Sequence, residues 1–231
     1  MEAKFRFDNS PPSEGLGEAF NIMNITLTNT GKRFNREWIF KNINQSFLQG
    51  KSYAITGANG SGKSTLLQVI AGAAIHSQGQ IIWSRSLSGQ DDNLPIENDK
   101  AFKNISIAAP YLDLIEEMTA TEFLKFHASF KTLTQSIAEI LDAVVLTSAA
   151  NKQIRYFSSG MKQRLKLAQA FFSNTSVLLL DEPTTNLDAE GIAIYKKLWA
   201  EHTINKLVIV SSNDTNEYSQ CETVISLGDY K

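Results

Sequence analysis

A glycine-rich segment, Gly57-Ala58-Asn59-Gly60-Ser61-Gly62-Lys63-Ser64-Thr65, constrains this chain more than any other stretch of its sequence. It follows a strand-like run that ends at Thr56 and precedes a helix-like apolar run that begins at Leu66. A loop of the form G-x-x-x-x-G-K-[ST] in this position joins a buried strand to a helix in α/β proteins. Glycines let the backbone turn so that its N–H groups and the helix N-terminus face an anion. The segment therefore predicts a phosphate-binding loop.

Two side chains of this loop have specific roles in phosphate binding. Lys63 is predicted to neutralise the terminal phosphates, and Ser64 offers a hard oxygen ligand of the kind that Mg²⁺ prefers. The structural alternative is a glycine-rich turn that happens to precede a helix. The flanking strand and helix argue against it, because they appear in the order that a phosphate loop requires.

A second segment, Val177-Leu178-Leu179-Leu180-Asp181-Glu182, is an apolar run that ends in two carboxylates. Such runs are typical of strands buried on both faces of a parallel sheet, and sites in such sheets lie at the C-terminal strand ends. Side chains alternate along a strand, so Asp181 is predicted to face the metal's water shell and Glu182 the attacking water. For either acid alone, the alternative is a solvated strand end.

Strand-like segments recur along the chain and differ in character. The early ones are short and half-polar, as in an antiparallel layer, whereas the later ones are continuous apolar runs. Strands are predicted at Asn24–Thr28, Trp38–Phe40, Ser52–Thr56, Gln80–Trp83, Asn104–Ala108, Val177–Leu180, Lys206–Val210 and Thr223–Leu227. Helical periodicity predicts an insertion at about 111–172, in which Phe123, Phe126 and Phe130 share a face and belong to the core.

The first residues of the chain differ from the rest. Residues 1–22 are turn-rich and include Ser10-Pro11-Pro12-Ser13, so they are predicted to be a flexible leader or residues left from cloning. A natural flexible extension is the alternative. The domain itself is predicted over residues 23–231.

Composition narrows the classes of partner. The 231 residues include 22 basic and 24 acidic ones, and the net charge of −2 argues against a protein built mainly to bind nucleic acid. The single cysteine, Cys221, excludes an internal disulfide and a cysteine-based metal cluster, and it is predicted to be a small buried residue. The sequence has no run of about 18 apolar residues, so we expect a soluble chain whose membrane role, if any, depends on a partner.

A third segment, Phe157-Ser158-Ser159-Gly160-Met161-Lys162-Gln163-Arg164, stands before Asp181-Glu182-Pro183-Thr184-Thr185-Asn186-Leu187-Asp188. With the glycine-rich loop, these segments closely resemble the ATP-binding cassette (ABC) ATPases in order and spacing, from Met23 to the C-terminus. The resemblance implies an α/β fold, the ABC type of P-loop NTPase, with a mostly parallel core sheet, an antiparallel β-layer and a helical insertion. It also implies an ATPase that uses ATP and Mg²⁺.

The resemblance assigns roles to individual residues. Ser158, Ser159 and Gly160 match the signature motif, which contacts the γ-phosphate of ATP bound by the opposing subunit; alone, such a segment would be only a helix N-cap. Asp188 matches the D-loop, which acts across the dimer. Phe34 matches the aromatic residue that stacks on adenine, with a core position as the alternative. The predicted ATP-binding residues are Phe34, Gly57, Asn59, Gly60, Ser61, Gly62, Lys63, Ser64 and Thr65, the metal ligands are Ser64 and Asp181, and the catalytic residues are Glu182, Lys63 and Asn213.

Two positions depart from the family pattern. Pro110 stands where the family has a glutamine ligand, but Mg²⁺ readily keeps waters, so metal binding should survive. Asn213 stands where the family has a switch histidine; it can donate a hydrogen bond to the γ-phosphate but cannot exchange a proton near neutral pH. Losing one charge-assisted hydrogen bond costs roughly 1.5 to 3 kcal/mol, so we expect slow hydrolysis that still depends on Glu182.

The function implied by the resemblance is ATP-driven transport. The chain would pair with a second ABC ATPase subunit, as a homodimer, and drive a separately encoded transmembrane permease at the cytoplasmic face of the membrane, without a nucleic acid partner. A segment similar to the permease-binding groove contains Tyr111, Leu112, Asp113, Leu114, Ile115, Glu116, Glu117 and Met118, although a loop packed on the insertion is equally compatible. For the whole chain, the alternatives are a soluble ABC ATPase without a transport role and a nucleotide-gated binding module with slow turnover.

Overall fold

Two β-sheets of different strand direction form the framework of the chain. The computed structural model describes residues 21–87 and 94–231. Its strands are β1 (Asn21–Phe34), β2 (Glu37–Phe47), β3 (Ser52–Thr56), β4 (Gln78–Leu87), β5 (Leu94–Ile96), β6 (Ile105–Ala108), β7 (Val177–Asp181), β8 (Leu207–Ser211) and β9 (Thr223–Ser226). The antiparallel sheet has the order β2-β1-β4-β5, and the parallel sheet has the order β6-β7-β8-β3-β9.

Helices connect the strands, and several begin at residues that cap them. They are α1 (Lys63–Ile70), α2 (Asn98–Ala101), α3 (Ala120–Ala128), α4 (Ile137–Ala143), α5 (Ser159–Phe171), α6 (Ala189–His202) and α7 (Thr215–Tyr218). Thr119 with Glu122 and Ser136 with Glu139 form capping boxes at the starts of α3 and α4. Each box satisfies backbone N–H groups that the first turn of a helix leaves without a partner, which fixes where the helix begins.

The core lies on both faces of the parallel sheet. Val177 and Leu179 of β7 pack with α1 and the antiparallel sheet, whereas Leu178 and Leu180 pack with α3 to α6. Leu207 to Val210 of β8 alternate in the same way. Because successive side chains of a strand point to opposite faces, a continuous apolar run is what such a doubly covered strand requires. Because β3, β7 and β8 are parallel, their C-terminal ends lie side by side at one edge of this buried central sheet.

The structure confirms the predicted fold class, with a parallel core sheet, an antiparallel layer and helices between β6 and β7. The predicted strands are present, although β1 and β2 are longer than expected. The sequence analysis did not identify β5, which has only three residues, or α7, which has four, because such short elements show no periodicity. Most of the predicted leader, residues 1–20, lies outside the described residues, and β1 begins at Asn21.

The prediction that three phenylalanines share a buried face is wrong for two of them. Phe123 is 7% exposed, but Phe126 and Phe130 are 43% and 68% exposed. Helix α3 buries Ala120, Phe123 and Leu124, which form one stripe at the i, i+3, i+4 spacing, and Phe126 falls beside that stripe. The helix ends at Ala128, so Phe130 does not continue its periodicity.

Within residues 21–87 and 94–231, no helix has both the length and the apolar character needed to cross a membrane.

Candidate nucleotide-binding site

The glycine-rich loop leaves the C-terminal end of β3 and enters α1 at Lys63. Gly57, Gly60 and Gly62 have positive φ, a conformation that other residues rarely adopt. Gly62 is also the N-cap of α1, and a Cβ atom there would overlap Cγ2 of Ile39 on β2. The loop therefore packs tightly against the antiparallel sheet, with the helix N-terminus directed at the space above it.

Lys63 is 5% exposed and crosses the loop. Its Nζ donates hydrogen bonds to the carbonyl oxygens of Gly57, at 2.7 Å, and Ala58, at 3.3 Å. No carboxylate forms a salt bridge with Lys63 in the described part of the chain. Its hydrogen bonds are thus made to carbonyl oxygens and not to a carboxylate, which is the arrangement expected of a site that receives an anion.

Two adjacent cavities meet at the loop. One of about 230 Å³ is lined by Ile39, Asn59, Gly60, Gly62, Lys63, Ser64, Thr65 and Glu182. The other, of about 430 Å³, shares Asn59 and Glu182 and is lined further by Thr184, Thr185, Leu187, Ile192, Ser212, Asn213, Asp214 and Glu217. The loop and the carboxylate predicted to act on water thus border one continuous region, which opens at the C-terminal edge of the parallel sheet.

The end of β7 places two carboxylates in different environments. Asp181 pairs with Ser211 of β8 and is 2% exposed. Burial raises the pKa of Asp181, an effect that the nearby hydroxyls of Ser64 and Ser211 oppose. Glu182 is half-buried, with a positive φ of 43°, and its N–H donates to the Ser211 carbonyl at 2.9 Å. A non-glycine residue in this conformation is strained, and such strain is commonly found at functional sites.

The residues around Asp181 fit a magnesium ion. Oδ1 of Asp181 and the hydroxyls of Ser61 and Ser211 are buried without a hydrogen-bond partner among the described residues. Buried oxygens are normally paired, so these atoms have capacity for a ligand. The described chain holds no group of three or more His, Cys, Asp or Glu residues that could enclose a metal. The carboxylate of Asp181 and the nearby hydroxyl of Ser64 suit Mg²⁺, which takes its remaining ligands from substrate phosphates and water.

Asn213 follows β8 and contacts the glycine-rich loop directly. Its Oδ1 accepts a hydrogen bond from the N–H of Gly57 at 3.2 Å, and its Nδ2 donates to Oδ1 of Asn59 at 2.8 Å. These contacts place Asn213 at the loop on the side of the second cavity, where the sequence analysis expected a residue that contacts the γ-phosphate.

The predicted signature residues lie elsewhere. Ser158 is the N-cap of α5, and its Oγ accepts the N–H of Met161 at 3.2 Å. None of Ser158, Ser159 and Gly160 is among the described residues that line the two cavities. Asp188 caps α6 in the same way, accepting the N–H of Gly191 at 2.9 Å. Within one chain, the structure therefore unites the loop with Asp181, Glu182 and Asn213 but not with the signature motif.

Phe34 lies at the end of β1, beside the two-residue turn into β2, and is 53% exposed. The core position considered for it is therefore wrong. The Nζ of Lys32 lies 4.8 Å from the centre of its ring and donates to the carbonyl of Ile75. A cation over an aromatic face is a favourable contact, so Lys32 favours this exposed orientation of the ring.

Comparisons with known proteins show the family to which the chain belongs. The family profile described as "ABC transporter" matches residues 40–185. A Bacillus subtilis protein named "Uncharacterized ABC transporter ATP-binding protein YybJ" is 30% identical over 208 residues, which cover 88% of this chain and 92% of the relative. The chain belongs to the ABC transporter ATP-binding family.

Two further matches describe what such proteins do. The lantibiotic transport ATP-binding protein SrtF of Streptococcus pyogenes is 31% identical over 73% of this chain and 70% of its own length. A solved dimeric ATP-binding cassette in a post-hydrolysis state, with ADP and Pi bound, has 25% identity and a TM-score of 0.71 over 87% of this chain and 93% of the other. This ABC protein is accordingly an ATP-binding and ATP-hydrolysing subunit of a transporter.

The loop after β6 departs from the family pattern at Pro110. Pro110 is exposed, and its carbonyl accepts a hydrogen bond from Nζ of Lys166 at 2.9 Å. Tyr111, which the sequence analysis assigned only to the partner groove, follows Pro110 and is 40% exposed. Burial, together with the charge of Asp181, raises the pKa of Tyr111 to about 12. The phenol is therefore protonated at neutral pH and can donate a hydrogen bond.

The rest of the predicted groove is held to the signature helix. Lys162 of α5 forms an ion pair with Glu116, and the N–H of Arg155 donates to the Glu116 carbonyl at 3.0 Å. Leu114 is buried, whereas Tyr111 and Ile115 are 40% and 37% exposed. The segment is thus neither a free loop nor fully packed on the insertion, and it presents two large apolar side chains to solvent.

The sequence analysis missed two polar residues that shape the site. Gln163 is buried on α5, and its Nε2 donates to the carbonyl of Pro183 at 2.8 Å. Glu217 of α7 is 5% exposed and accepts two hydrogen bonds from Thr184. Gln163 stands in the segment that matches the signature motif but was given no role there, and Glu217 belongs to no recognised motif. A buried acid shortly after Asn213 could have been suspected only if the four-residue helix α7 had been predicted.

Proposed function

We propose that the chain works as one half of an ATP-driven dimer, in which the phosphates of each ATP lie between the glycine-rich loop of one copy and Ser158 to Gly160 of the other. The observation that carries this proposal is the cavity that contains Lys63, Ser64 and Glu182 but no signature residue. A phosphate site that is open on the side of Glu182 needs a second surface to exclude water from the reaction, and a copy of the same chain supplies it.

The loop side of the site would bind and orient the nucleotide. Lys63 would exchange its two carbonyl contacts for the β- and γ-phosphates, and the loop N–H groups with the N-terminus of α1 would hold the remaining phosphate oxygens. Phe34, which is exposed and contacts Lys32, would stack on the adenine ring.

The edge of the parallel sheet would supply the chemistry. Ser64 and Asp181 would hold Mg²⁺, which when bound neutralises charge on the β- and γ-phosphates. Glu182 would accept a hydrogen bond from the water that attacks the γ-phosphate in line, and Asn213 would donate to that phosphate through Nδ2. Turnover should be slow, because a neutral amide gives a weaker hydrogen bond to a developing charge than a charged donor does.

The opposing copy would complete the site from the start of α5. Ser158 and the free N–H groups of this 13-residue helix face an anion favourably because of the helix dipole. Asp188, at the start of α6, would contact the partner near the same position. ATP binding would therefore close the dimer, and release of phosphate would open it.

Opening and closing would act on a separately encoded transmembrane permease, with the chain bound peripherally at the cytoplasmic face of the membrane. Tyr111 and Ile115 would form the permease contact, because they are large, apolar and exposed on a segment attached to α5.

A phosphate-release assay with ATP-binding measurements tests this proposal. We expect Mg²⁺-dependent hydrolysis by the wild type and a loss of at least about 100-fold in Glu182→Gln, with ATP binding retained because the loop is intact. Glu190→Gln is a matched control, since Glu190 lies on α6 with a mostly exposed side chain. Equal turnover in Glu182→Gln and Glu190→Gln would refute the role given to Glu182.

The permease contact needs its own test. Co-purification from detergent-solubilised membranes should recover a multi-span protein with the wild type, and recovery should fall sharply when Ile115 is replaced by Lys. Recovery of soluble proteins only, by wild type and variant alike, would contradict the transport assignment of this surface.

A further inference from the structure

A buried acid beside the site connects two segments that the proposed reaction would need to move together. Glu217 belongs to α7, in the turn that follows β8, and is 5% exposed. Its Oε1 accepts hydrogen bonds from the N–H of Thr184, at 2.6 Å, and from the Thr184 hydroxyl, at 2.5 Å. A carboxylate is rarely buried unless its oxygens are paired in this way, and these charge-assisted bonds are stronger than bonds between neutral groups.

The Thr184 end of this contact fixes the loop that carries the reactive acid. Thr184 lies two residues after Glu182, the N–H of Thr185 donates to the Glu182 carbonyl at 3.1 Å, and the N–H of Leu187 donates to the Thr184 carbonyl at 2.9 Å. The segment from Glu182 to Asp188 is therefore one compact turn, and Thr184 holds it on the side of Glu217, in addition to the contacts of Glu182 with Ser211 and of Pro183 with Gln163.

The Glu217 end is anchored to the rest of the site. The N–H of Glu217 donates to the Asp214 carbonyl at 3.0 Å, and its own carbonyl accepts the hydroxyl of Tyr195 on α6 at 2.7 Å. Asp214 directly follows Asn213, which contacts the glycine-rich loop through Gly57 and Asn59. The carboxylate of Glu217 thus joins the Asn213 turn, which reaches the phosphate loop, to the Glu182 turn, which reaches Asp188.

We propose that Glu217 is a positioning residue for ATP hydrolysis. Through its hydrogen bonds to Thr184, it holds Glu182 and Asp188 at a fixed position relative to the Asn213 turn. The inference rests on the proposed function, because it assumes that Glu182 acts on water and Asp188 on the partner copy. It assigns to Glu217 no contact with ATP. Its loss should therefore slow the chemical step and leave nucleotide binding by the loop nearly unchanged.

The test compares Glu217→Ala, Glu217→Gln and Thr184→Val by steady-state hydrolysis and by direct titration with Mg-ATP. In Glu217→Ala we expect kcat to fall by about 10-fold or more while KM and the dissociation constant change by less than about 3-fold. Glu217→Gln keeps an acceptor oxygen of the same shape, so it should restore part of kcat. Rates are expressed per binding-competent site, so that a loss of folded protein does not appear as a loss of kcat.

Thr184→Val supplies the second variant, since it removes one donor to Glu217 and preserves volume, and should fold even if Glu217→Ala does not. The double variant Thr184→Val/Glu217→Gln should be no slower than the slower single variant, because both act through one contact. Glu222→Ala is the charge control: Glu222 pairs with Lys51 on the surface at 2.8 Å, and its loss should leave kcat unchanged.

The outcomes separate this inference from the function on which it rests. If the wild type hydrolyses ATP and Glu182→Gln does not, but Glu217→Ala and Thr184→Val turn over at the wild-type rate, Glu217 has no positioning role. A rise in KM at constant kcat in these variants, or strictly additive losses in the double variant, would overturn it as well. Equal rates for wild type and Glu182→Gln would instead remove the proposed function itself.

Discussion

At the scale of single residues, Asn213 stands where the family has a histidine, and its contacts show how it is placed at the glycine-rich loop. Asn213 bridges Gly57 and Asn59 and so is well placed, but its amide remains neutral at every physiological pH. Its placement and its chemistry therefore have separate effects on turnover.

We expect Asn213→His to increase kcat by roughly 10-fold at pH 6 to 7, because a protonated imidazole can form a charge-assisted hydrogen bond to the γ-phosphate. Asn213→Ala, which removes both contacts, should be slower than the wild type. Phosphate release between pH 6 and 8.5 measures both effects. A pH-independent rate in Asn213→His, equal to that of the wild type, would show that the residue at this position does not limit hydrolysis.

Gly62 offers a second residue-scale prediction. Gly62→Ala should abolish ATP binding and lower the free energy of unfolding, because the new Cβ meets Cγ2 of the branched Ile39 side chain at a residue with φ of 102°. Gly50→Ala is the matched control, since Gly50 has φ of 78° but no atom within 4 Å of an added Cβ.

The control should lose only about 1 kcal/mol of unfolding free energy and bind ATP normally. Urea unfolding and a nucleotide titration measure both variants. Normal ATP binding by Gly62→Ala would mean that the close packing of the loop on β2 is not needed for the site.

At this scale, the distance between two residues along the sequence determines whether their contact could be predicted from the sequence alone. Lys63, Ser64, Asp181 and Glu182 lie in contiguous motifs, so their neighbourhood was predictable from two short segments and strand order. Glu217 and Thr184 are 33 positions apart and meet only because β8 lies beside β7 in the parallel sheet. No local pattern marks such a pair, since its significance comes from burial that the sequence does not display.

At the scale of elements, the packing of α3 against the end of α5 creates a pH-dependent contact. Nε2 of His127 lies 2.8 Å from Oγ of Ser173, and that hydroxyl donates to the carbonyl of Gln169 at 2.6 Å. The Ser173 oxygen must therefore accept the hydrogen bond from His127. Burial, reinforced by the nearby Lys131, lowers the pKa of His127 to about 4.

The unfolded chain returns His127 to its ordinary pKa of 6.5, so between pH 6.5 and 4 it binds more protons than the folded chain. The free energy of unfolding should consequently be highest above pH 6.5 and fall as the pH decreases through this window. His127→Gln, which keeps a donor to Ser173 but does not titrate, should show a weaker decline in urea unfolding experiments. Some decline should remain, because burial also lowers the pKa of His202. An unchanged slope in His127→Gln would exclude this contact as the cause.

The elements themselves were predictable to different degrees. Continuous apolar strands such as β7 and β8 were identified because both of their faces are buried. The orientation of α3 was only partly identified, because Phe126 satisfies a helical spacing without belonging to the buried stripe. Three- and four-residue elements such as β5 and α7 are too short for any period to appear.

At the scale of the whole molecule, the proposed dimer would make activity depend on residues from different copies. A Lys63→Ala subunit lacks the phosphate contact but retains the signature motif, and a Ser158→Arg subunit has the reverse defect. Each variant alone should be inactive. In an equimolar mixture, half of the dimers should contain one intact site of two, so about a quarter of wild-type hydrolysis should return if the sites act independently. Phosphate release by mixtures measures this recovery, and a mixture as inactive as its components would contradict the arrangement in trans.

Lys166 gives the loop after β6 an attachment that does not depend on the side chain missing at Pro110. Its Nζ donates to the carbonyls of Ala109 and Pro110, and on the same helix Lys162 binds Glu116. Along this 13-residue helix, Lys166 lies in the middle, and Lys162 lies three residues after Ser159, about 4.5 Å along the axis. A displacement of this loop would therefore be passed directly to the start of α5, where Ser158 and Ser159 lie. Backbone carbonyls, which any residue at position 110 would offer, form this attachment, so it does not require the glutamine side chain found in the family.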